Sequence, residues 1–396
     1  MKRTLESLDA GAIDGKRALV RVDFNCPVKD GRVTDNTRIR AALPTIEFLR
    51  SRGARLVLFS HLGRPKGGPD PKYSMEPVVR ELERLLGAPV LFLRDPLAEQ
   101  AVTETRRMPR GGIALAENTR FFPGEERNDP ELAARFAALG DFYVNDAFGS
   151  AHRAHASTEA VARVLKPAVS GFLMQRELQY LGDALHQPKR PFVAVLGGAK
   201  ISGKIDLISA LLPKVDRILL GGAMACTFFA AMGLETGNSL VEPDRVELAR
   251  RLLADAGEKL VVPRGAVVAR ELESGAETRN VPRDGIPDGW AVYDIDPRTE
   301  AEFASKIESA GTVVWNGPMG VFETPPFDHG TLAVAHAMAA ATVKGAVTVV
   351  GGGDSAAAVA QAGLEDRMTH VSTGGGASLE FLEGKTLPGV AALDDA

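Results

Sequence analysis

Short apolar, β-rich runs that stop abruptly and give way to helical segments recur along this whole chain, and that alternation is its strongest constraint. Such a pattern reads as α/β architecture with parallel sheets. In the first half the runs are Ala18–Phe24, Leu56–Ser60, Val90–Leu93, Ile113–Ala116 and Phe142–Asn145. In the second half they are Phe192–Leu196, Ile218–Leu220, Leu260–Val262, Val313–Trp315, Val347–Val350 and His370–Ser372. Helical segments lie between them. One starts at Asp35-Asn36 and stops at Gly53, another has Ser74 as N-cap and Gly87 as its stop, and a third begins Asn128-Asp129-Pro130 and ends at Gly140. From Gly171 to Leu185 the string is amphipathic, with Leu173, Leu178, Leu181 and Leu185 near one face. The Pro-bearing stretch 187–191 that follows it reads as a boundary.

A chain of 396 residues is long enough for two full cores. The expected fold is therefore two Rossmann-like domains, each a parallel sheet flanked by helices, with a cleft between them. The first covers residues 1–170, a bridging helix 171–186, and the second 187–387.

The richest single stretch is 190–205, RPFVAVLGGAKISGKI. A strand that breaks at a glycine pair and opens a helix aims free N–H groups and a positive dipole end at an anion. Lys200 and Lys204, four residues apart, are expected to share a helix face and converge on that anion. Gly198 to Lys204 matches the first seven positions of a P-loop, but position eight is Ile205, which has no hydroxyl for a metal. A P-loop NTPase is therefore the weaker reading of a phosphate site. A dinucleotide oxidoreductase is weaker still, since no G-x-G-x-x-G follows any of these strands.

Composition removes other classes. No apolar stretch approaches the roughly 18 residues of a membrane span, and the N-terminus lacks a signal core, so a cytoplasmic protein is expected. Cys26 and Cys226 form no metal or redox motif. The net charge of −4 hides an asymmetry: residues 1–168 carry 27 Lys+Arg against 22 Asp+Glu, and the remainder 20 against 29. The basic half has no aromatic-rich ribbon or lysine run, so nucleic acid is not the expected partner.

Its cations instead gather where strands end. Asp23, Phe24 and Asn25 follow the first run; His61, Leu62, Gly63 and Arg64 the second; Arg120 the fourth; and His152, Arg153 and His155 the fifth. Arg38 opens the helix after the first strand. A lone arginine is usually a solvated charge, but four strand ends sharing one sheet edge can converge. Arginine's fork matches carboxylate and phosphate oxygens, so the site suits a small phosphorylated acid.

In the second half, glycine turns follow strands at Gly197-Gly198, at Gly221-Gly222, at Gly351-Gly352-Gly353 and at 374–376. Asp354 and Ser355 follow the third, placing a carboxylate beside a candidate triphosphate site where Mg²⁺ is typically held by one or two carboxylates and substrate phosphates. Asn316 and Glu323 supply polar groups at the rim.

RVDFNCP, DNTRI, SHLGRP, ENTRF, AHRAHAS, LGGAKISGKI, LLGGAMA, WNGPMGVFE, GGGDS and STGGGASLEFLEGK, in that order over residues 20 to 385, together resemble the phosphoglycerate kinase family. The resemblance implies a first domain binding 3-phosphoglycerate or 1,3-bisphosphoglycerate and a second binding ATP or ADP with Mg²⁺. Asp23, Phe24, Asn25, Arg38, His61, Leu62, Gly63, Arg64, Arg120 and Arg153 match the substrate set. Gly197, Lys204, Gly222, Asn316, Glu323, Gly351, Gly352, Gly353, Asp354 and Ser355 match the nucleotide set, with Asp354 toward the metal. The same resemblance implies that Lys200 accompanies the transferring phosphoryl group and that Arg38 shares the catalytic role. The resemblance also implies a tail, from about residue 388 to 396, that returns to the first domain. A monomer is expected. Three positions depart from the family pattern: Gly203 where Asp is usual, Val292 where glycine is common, and Arg264-Gly265 where Val-Asp is usual. All three fall in the half expected to bind the nucleotide. A catalytically silent nucleotide- or sugar-phosphate-binding protein would be indicated by loss of Lys200 or Asp354, and both are present.

Overall fold

The computed structural model describes residues 2–66 and 68–396. The backbone divides into two compact units: the chain up to Gln179 together with Thr386–Ala396, and Tyr180–Lys385.

In the first unit the strands are β1 (Arg17–Arg21), a short hairpin of β2 (Val28–Lys29) and β3 (Arg32–Val33), then β4 (Arg55–Phe59), β5 (Val90–Leu93), β6 (Ile113–Ala116), β7 (Phe142–Asn145) and β8 (Ala168–Ser170). Six form one parallel sheet in the order β5-β6-β4-β1-β7-β8. Side chains alternate between two buried faces. Ala18, Val20, Leu56 and Leu58 enter one core with Ile39 and Ile46, whereas Leu19, Val57 and Phe59 enter the other with Phe136 and Tyr143. That double burial explains why the runs are continuously apolar. Helix ends follow their local chemistry. Asp129 caps Pro130–Ala137 by accepting from Glu131 N at 2.8 Å and Leu132 N at 3.3 Å, and Gly87 ends Glu76–Leu86 at φ +60°. Met75 holds the N-cap position, but Ser74, one residue earlier, still serves the helix start: its hydroxyl accepts from Glu76 N at 3.3 Å and donates to Glu117 at 2.8 Å.

The C-terminal segment belongs to this first unit. Gly389 N donates to Ala151 O (2.9 Å), Asn145 Nδ2 to Gly389 O (3.0 Å) and Ala168 N to Asp394 Oδ2 (2.9 Å).

The second unit holds β9 (Phe192–Leu196), β10 (Arg217–Leu220), β11 (Leu260–Val261), β12 (Gly265–Ala269), β13 (Arg279–Pro282), β14 (Ala291–Ile295), β15 (Thr312–Asn316), β16 (Val347–Gly351) and β17 (His370–Val371). Six make a parallel sheet ordered β11-β10-β9-β15-β16-β17. The other three make a small antiparallel sheet, β13-β12-β14, which the sequence reading did not contain. Its edge strand β13, RNVP, is mostly exposed and ends in proline, so it carries no apolar alternation to announce it.

Candidate active site

In the first unit β6, β4, β1 and β7 are successive neighbours, so the segments after them share one edge of the sheet. Those segments are laced together. Phe24 N donates to Ser60 Oγ (2.8 Å), Gly63 N to Asn25 Oδ1 (2.8 Å), Asn118 Nδ2 to Leu62 O (2.7 Å) and Arg120 Nη1 to Gly63 O (2.7 Å). Gly63 sits at φ +60°, and a Cβ there would lie 2.3 Å from the Tyr73 ring, so glycine is required. Phe24 and Leu62 are buried and serve this scaffold.

Arg38, in the first turn of the helix Thr37–Ser51, places Nη1 2.5 Å from Asp23 Oδ2. Burial pushes the Asp23 carboxyl up, but Arg38, His61, Arg21 and the Asn25 N–H outweigh it and hold its pKa below the usual value. The cations also act on one another. The Arg120 pKa is lowered first by burial and then by Arg21 and Arg153, against Glu126 and Glu125. His155 is lowered to about 4 by burial and then by Arg21, Arg120, Arg153 and His152. His61, buried as well, lies well below the ordinary histidine value; after burial, Asp23 opposes the shift while Arg21, Arg120 and Arg38 add to it. Positive charge therefore accumulates at this edge without full compensation, which is the condition for binding an anion. Arg153 is exposed, with Nε 3.2 Å from His152 Nε2. Arg64 is exposed and, among the described residues, makes no hydrogen bond or ion pair; no contact joins it to the others.

Arg21 was absent from the sequence reading. It is 1% exposed and places Nη2 3.2 Å from His61 Nδ1. Its signal was a charge inside an apolar run, Val20-Arg21-Val22, in a strand buried on both faces.

In the second unit the glycine turns pack backbone against backbone. A Cβ on Gly197 would sit 2.0 Å from Pro318 O, and one on Gly222 2.4 Å from Gly198 O. The turns thus stand at the C-terminal ends of β9, β10 and β15 beside a cavity of about 630 Å³. Gly198, Ala199, Gly222, Ala223 and Pro318 form its floor, Glu323 and Asp354 bring carboxylates, and Asn238–Val241 with Ala291–Tyr293 close its walls. These walls were not foreseen, apart from Val292. The 238–241 loop carries no motif, and the Ala291–Tyr293 wall belongs to the unforeseen antiparallel sheet.

Lys200 and Lys204 do not share a helix face. Residues 201–203 form a tight 3₁₀ turn, Lys200 is extended before it, and Lys204 precedes the helix Ile205–Leu211. Lys200 is exposed and makes no hydrogen bond or ion pair among the described residues, though its charge helps to lower the Glu242 pKa. Lys204 is half-buried and donates to Asn316 Oδ1; burial lowers its pKa to about 8 against the opposing pull of Asp354 and Glu383. Ser355 does not line the cavity. It is fully buried, and its hydroxyl turns away from the cavity to accept from Gly317 N at 2.6 Å. Gly197, Lys204, Asn316 and the Gly351–Gly353 turn stand beside the cavity without lining it. Gly352 at φ +88° brings the turn against Asn316 and opens the helix Gly353–Gln361, with Asp354 exposed in its first turn.

Of the three departures from the family pattern, Val292 lines the cavity and Gly203 is exposed in the 3₁₀ turn. Arg264 does not bear on this cavity: it pairs with Glu302 at 2.5 Å beside Arg217, Arg283 and Lys306, along a separate hollow. Among the described residues no group of three His, Cys, Asp or Glu could hold a metal. Asp354 alone, exposed and without a cation in hydrogen-bond contact, fits a magnesium ion only if a bound phosphate supplies most of the remaining oxygens.

The model of the family described as phosphoglycerate kinase matches residues 8–385. A phosphoglycerate kinase of Chloroflexus aurantiacus is 56% identical over 404 aligned positions, covering 100% of this chain and 99% of its own. One from Fervidobacterium nodosum is 53% identical, covering 100% and 98%. Among solved structures, phosphoglycerate kinase from Coxiella burnetii superposes with a TM-score of 0.90 at 41% identity, covering 99% of both chains. That from Pyrococcus horikoshii gives 0.84 at 31%, covering 99% and 98%. The chain belongs to the phosphoglycerate kinase family.

Proposed function

We infer, starting from that membership, that the two sites divide the substrates of one reaction: the first unit takes the acid and the second the nucleotide. The reaction itself is that of the family, reversible phosphoryl transfer between 1,3-bisphosphoglycerate and ADP to give 3-phosphoglycerate and ATP, a step of glycolysis. The observation that carries the division is the mutual electrostatic strain of Arg21, Arg120, Arg153 and His155 in the first unit, set against a glycine-floored cavity in the second.

In the direction that consumes ATP the attacking oxygen belongs to a carboxylate, already ionised at neutral pH. No general base is needed. The lowered values of His61 and His155 support this, because a neutral, buried imidazole serves better as a hydrogen-bonding group than as a proton carrier tuned to pH 7. Catalysis then rests on alignment and on positive charge around the transferring group. Lys200, exposed and unpaired, and Arg38, of which one nitrogen is held by Asp23, are the side chains proposed for that task. Lys204 and the N-terminus of Gly353–Gln361 are proposed for the nucleotide phosphates, and Asp354 for magnesium, which neutralises phosphate charge when bound.

Direct transfer excludes water, and closure over the two ligands is the proposed means. Small-angle scattering with each ligand, both and neither tests it, and an active enzyme whose radius of gyration never changes would refute it. Each chain carries both substrate sites, which supports a monomer as the working species. Cys26 and Cys226 are buried free thiols, and among the described residues no helix is long and apolar enough to cross a membrane; both features support a cytoplasmic enzyme. A coupled assay with ATP, Mg²⁺ and 3-phosphoglycerate tests the division, run beside calorimetry of each substrate alone on site variants of each unit.

A further inference from the structure

Beneath the acid-binding edge of the first unit runs a buried file of polar groups. Glu125, 1% exposed, grips the turn Ala156–Ala160 three times: its carbonyl accepts from Ala156 N (2.9 Å), Oε2 from Ser157 N (2.9 Å) and Oε1 from Ser157 Oγ (2.5 Å). Tyr143 OH, from β7, donates to Ser157 O at 2.9 Å and fixes the turn from the other side. Ser157 Oγ lies 2.9 Å from Arg21 Nε, and Arg21 Nη2 lies 3.2 Å from His61 Nδ1. Arg21 Nη1 completes its set on Val22 O.

The direction of every bond in this file is fixed by chemistry. A carboxylate only accepts, so the single hydroxyl proton of Ser157 goes to Glu125. A guanidinium only donates and stays charged, so Ser157 accepts from Nε and His61 Nδ1 accepts from Nη2. An Nδ1 that accepts carries no proton, and the neutral ring must then carry it on Nε2. Among the described residues that Nε2 has no partner in the protein.

We propose that Glu125 and Ser157 are positioning residues for substrate binding: acting through Arg21, they hold His61 as a neutral Nε2–H donor to an oxygen of the acid substrate. The proposal rests on the reading of His61 as a substrate residue. It gives the edge a hydrogen-bond donor that adds no further charge to a cluster already crowded with cations. It also gives Glu125 a task beyond bracing its turn, since a brace alone would not need the guanidinium that continues to the imidazole.

Long-range ¹H–¹⁵N correlation of the ligand-free protein at neutral pH, with His61 identified by its loss in His61→Gln, reads the tautomer directly. The unsubstituted protein should show Nδ1 bare and Nε2 protonated. Ser157→Ala and Glu125→Gln should replace that pattern by an averaged or inverted one. Each should also raise the KM for 3-phosphoglycerate roughly tenfold, as expected for loss of one oriented hydrogen bond, with kcat and the KM for ATP within about twofold. Ser157→Thr, which keeps the hydroxyl, should restore both readings. If Glu125→Gln does not fold, Ser157→Ala and Arg21→Lys serve in its place. A tautomer and KM unchanged in Ser157→Ala would overturn the proposal, as would an Nδ1-protonated His61 in the unsubstituted protein. A His61→Gln enzyme with unaltered KM would instead remove the substrate role of His61, and the inference with it.

Discussion

Lys204 gives its ammonium group to Asn316 Oδ1, and Asn316 Nδ2, buried beside it, has no partner among the described residues. The pair stands beside the glycine turns of the second unit, where burial has brought the Lys204 pKa down to about 8. Between about pH 8 and 10.5 the unfolded chain binds more protons here than the folded one, so this group's contribution to stability rises with pH across that window.

A nucleotide phosphate near Lys204 should reverse the shift and restore the proton. ADP binding at pH 8.5 is therefore expected to take up roughly 0.7 proton from solvent, and almost none at pH 6.5. Calorimetry in buffers of different ionisation enthalpy reads this as a buffer-dependent heat. Lys204→Arg, which stays charged, should abolish the dependence, and uptake that survived that substitution would assign the proton to another group.

Lys200 is exposed and unpaired, so its removal leaves no buried partner behind. Lys200→Ala should lower kcat on the order of 10²–10³-fold with either KM nearly unchanged, as when a charge that acts in the transition state is lost. A tenfold rise in KM at constant kcat would make it a ground-state binding residue.

Arg64 and Arg153 are likewise exposed, and neither is held by a carboxylate. Replacing either by alanine should weaken 3-phosphoglycerate at least several-fold while leaving ADP affinity and the melting temperature unaltered. Parallel titrations with the two ligands decide the matter, and an equal loss for ADP would contradict the assignment of acid and nucleotide to separate units.

A Cβ added at Gly203 would meet nothing within 4 Å, and its backbone is not in the left-handed region. Gly203→Asp should fold normally and keep or improve activity, whereas Asp354→Ala should lose Mg²⁺-dependent turnover. Assays over a magnesium series would reveal the contrast. An inactive but folded Gly203→Asp enzyme would show that the 3₁₀ turn must remain uncharged.

Much of the scaffold could be read directly. Ile113–Ala116 and Phe142–Asn145 emerge with the expected ends because continuous apolar runs are what doubly covered parallel strands require, and the edge strand Val90–Leu93 has the expected ends although Leu91 is exposed. The helix Pro130–Ala137 announces itself through Asp129 and Pro130. What escaped notice depends on partners remote in sequence. The Ser355 hydroxyl turns inward because Gly317 N, 38 residues away, needs an acceptor. Arg21 is tolerated in a buried strand because Ser157 and His61 receive its donors. The lysines at 200 and 204 were misjudged for a local reason: i and i+4 coincide only on an α-helix, and a 3₁₀ turn intervenes.

The returning C-terminal segment bears on how the protein is made. Arg3 N donates to Asp394 O at 2.8 Å and Ser170 N to Arg3 O at 3.0 Å, so both termini are woven into the first unit. Asn145 and Ala151, which bracket the approach to Arg153, close on Gly389. On the ribosome, where N-terminal units usually fold first, the last segment of this first unit is translated after the second. All of Tyr180–Lys385 is translated before Thr386–Ala396, so the second unit can settle while the first still waits for its last pieces. The edge that carries Arg153 thus depends on a segment translated after the whole second unit, and it is expected to be completed later than the cavity of that unit.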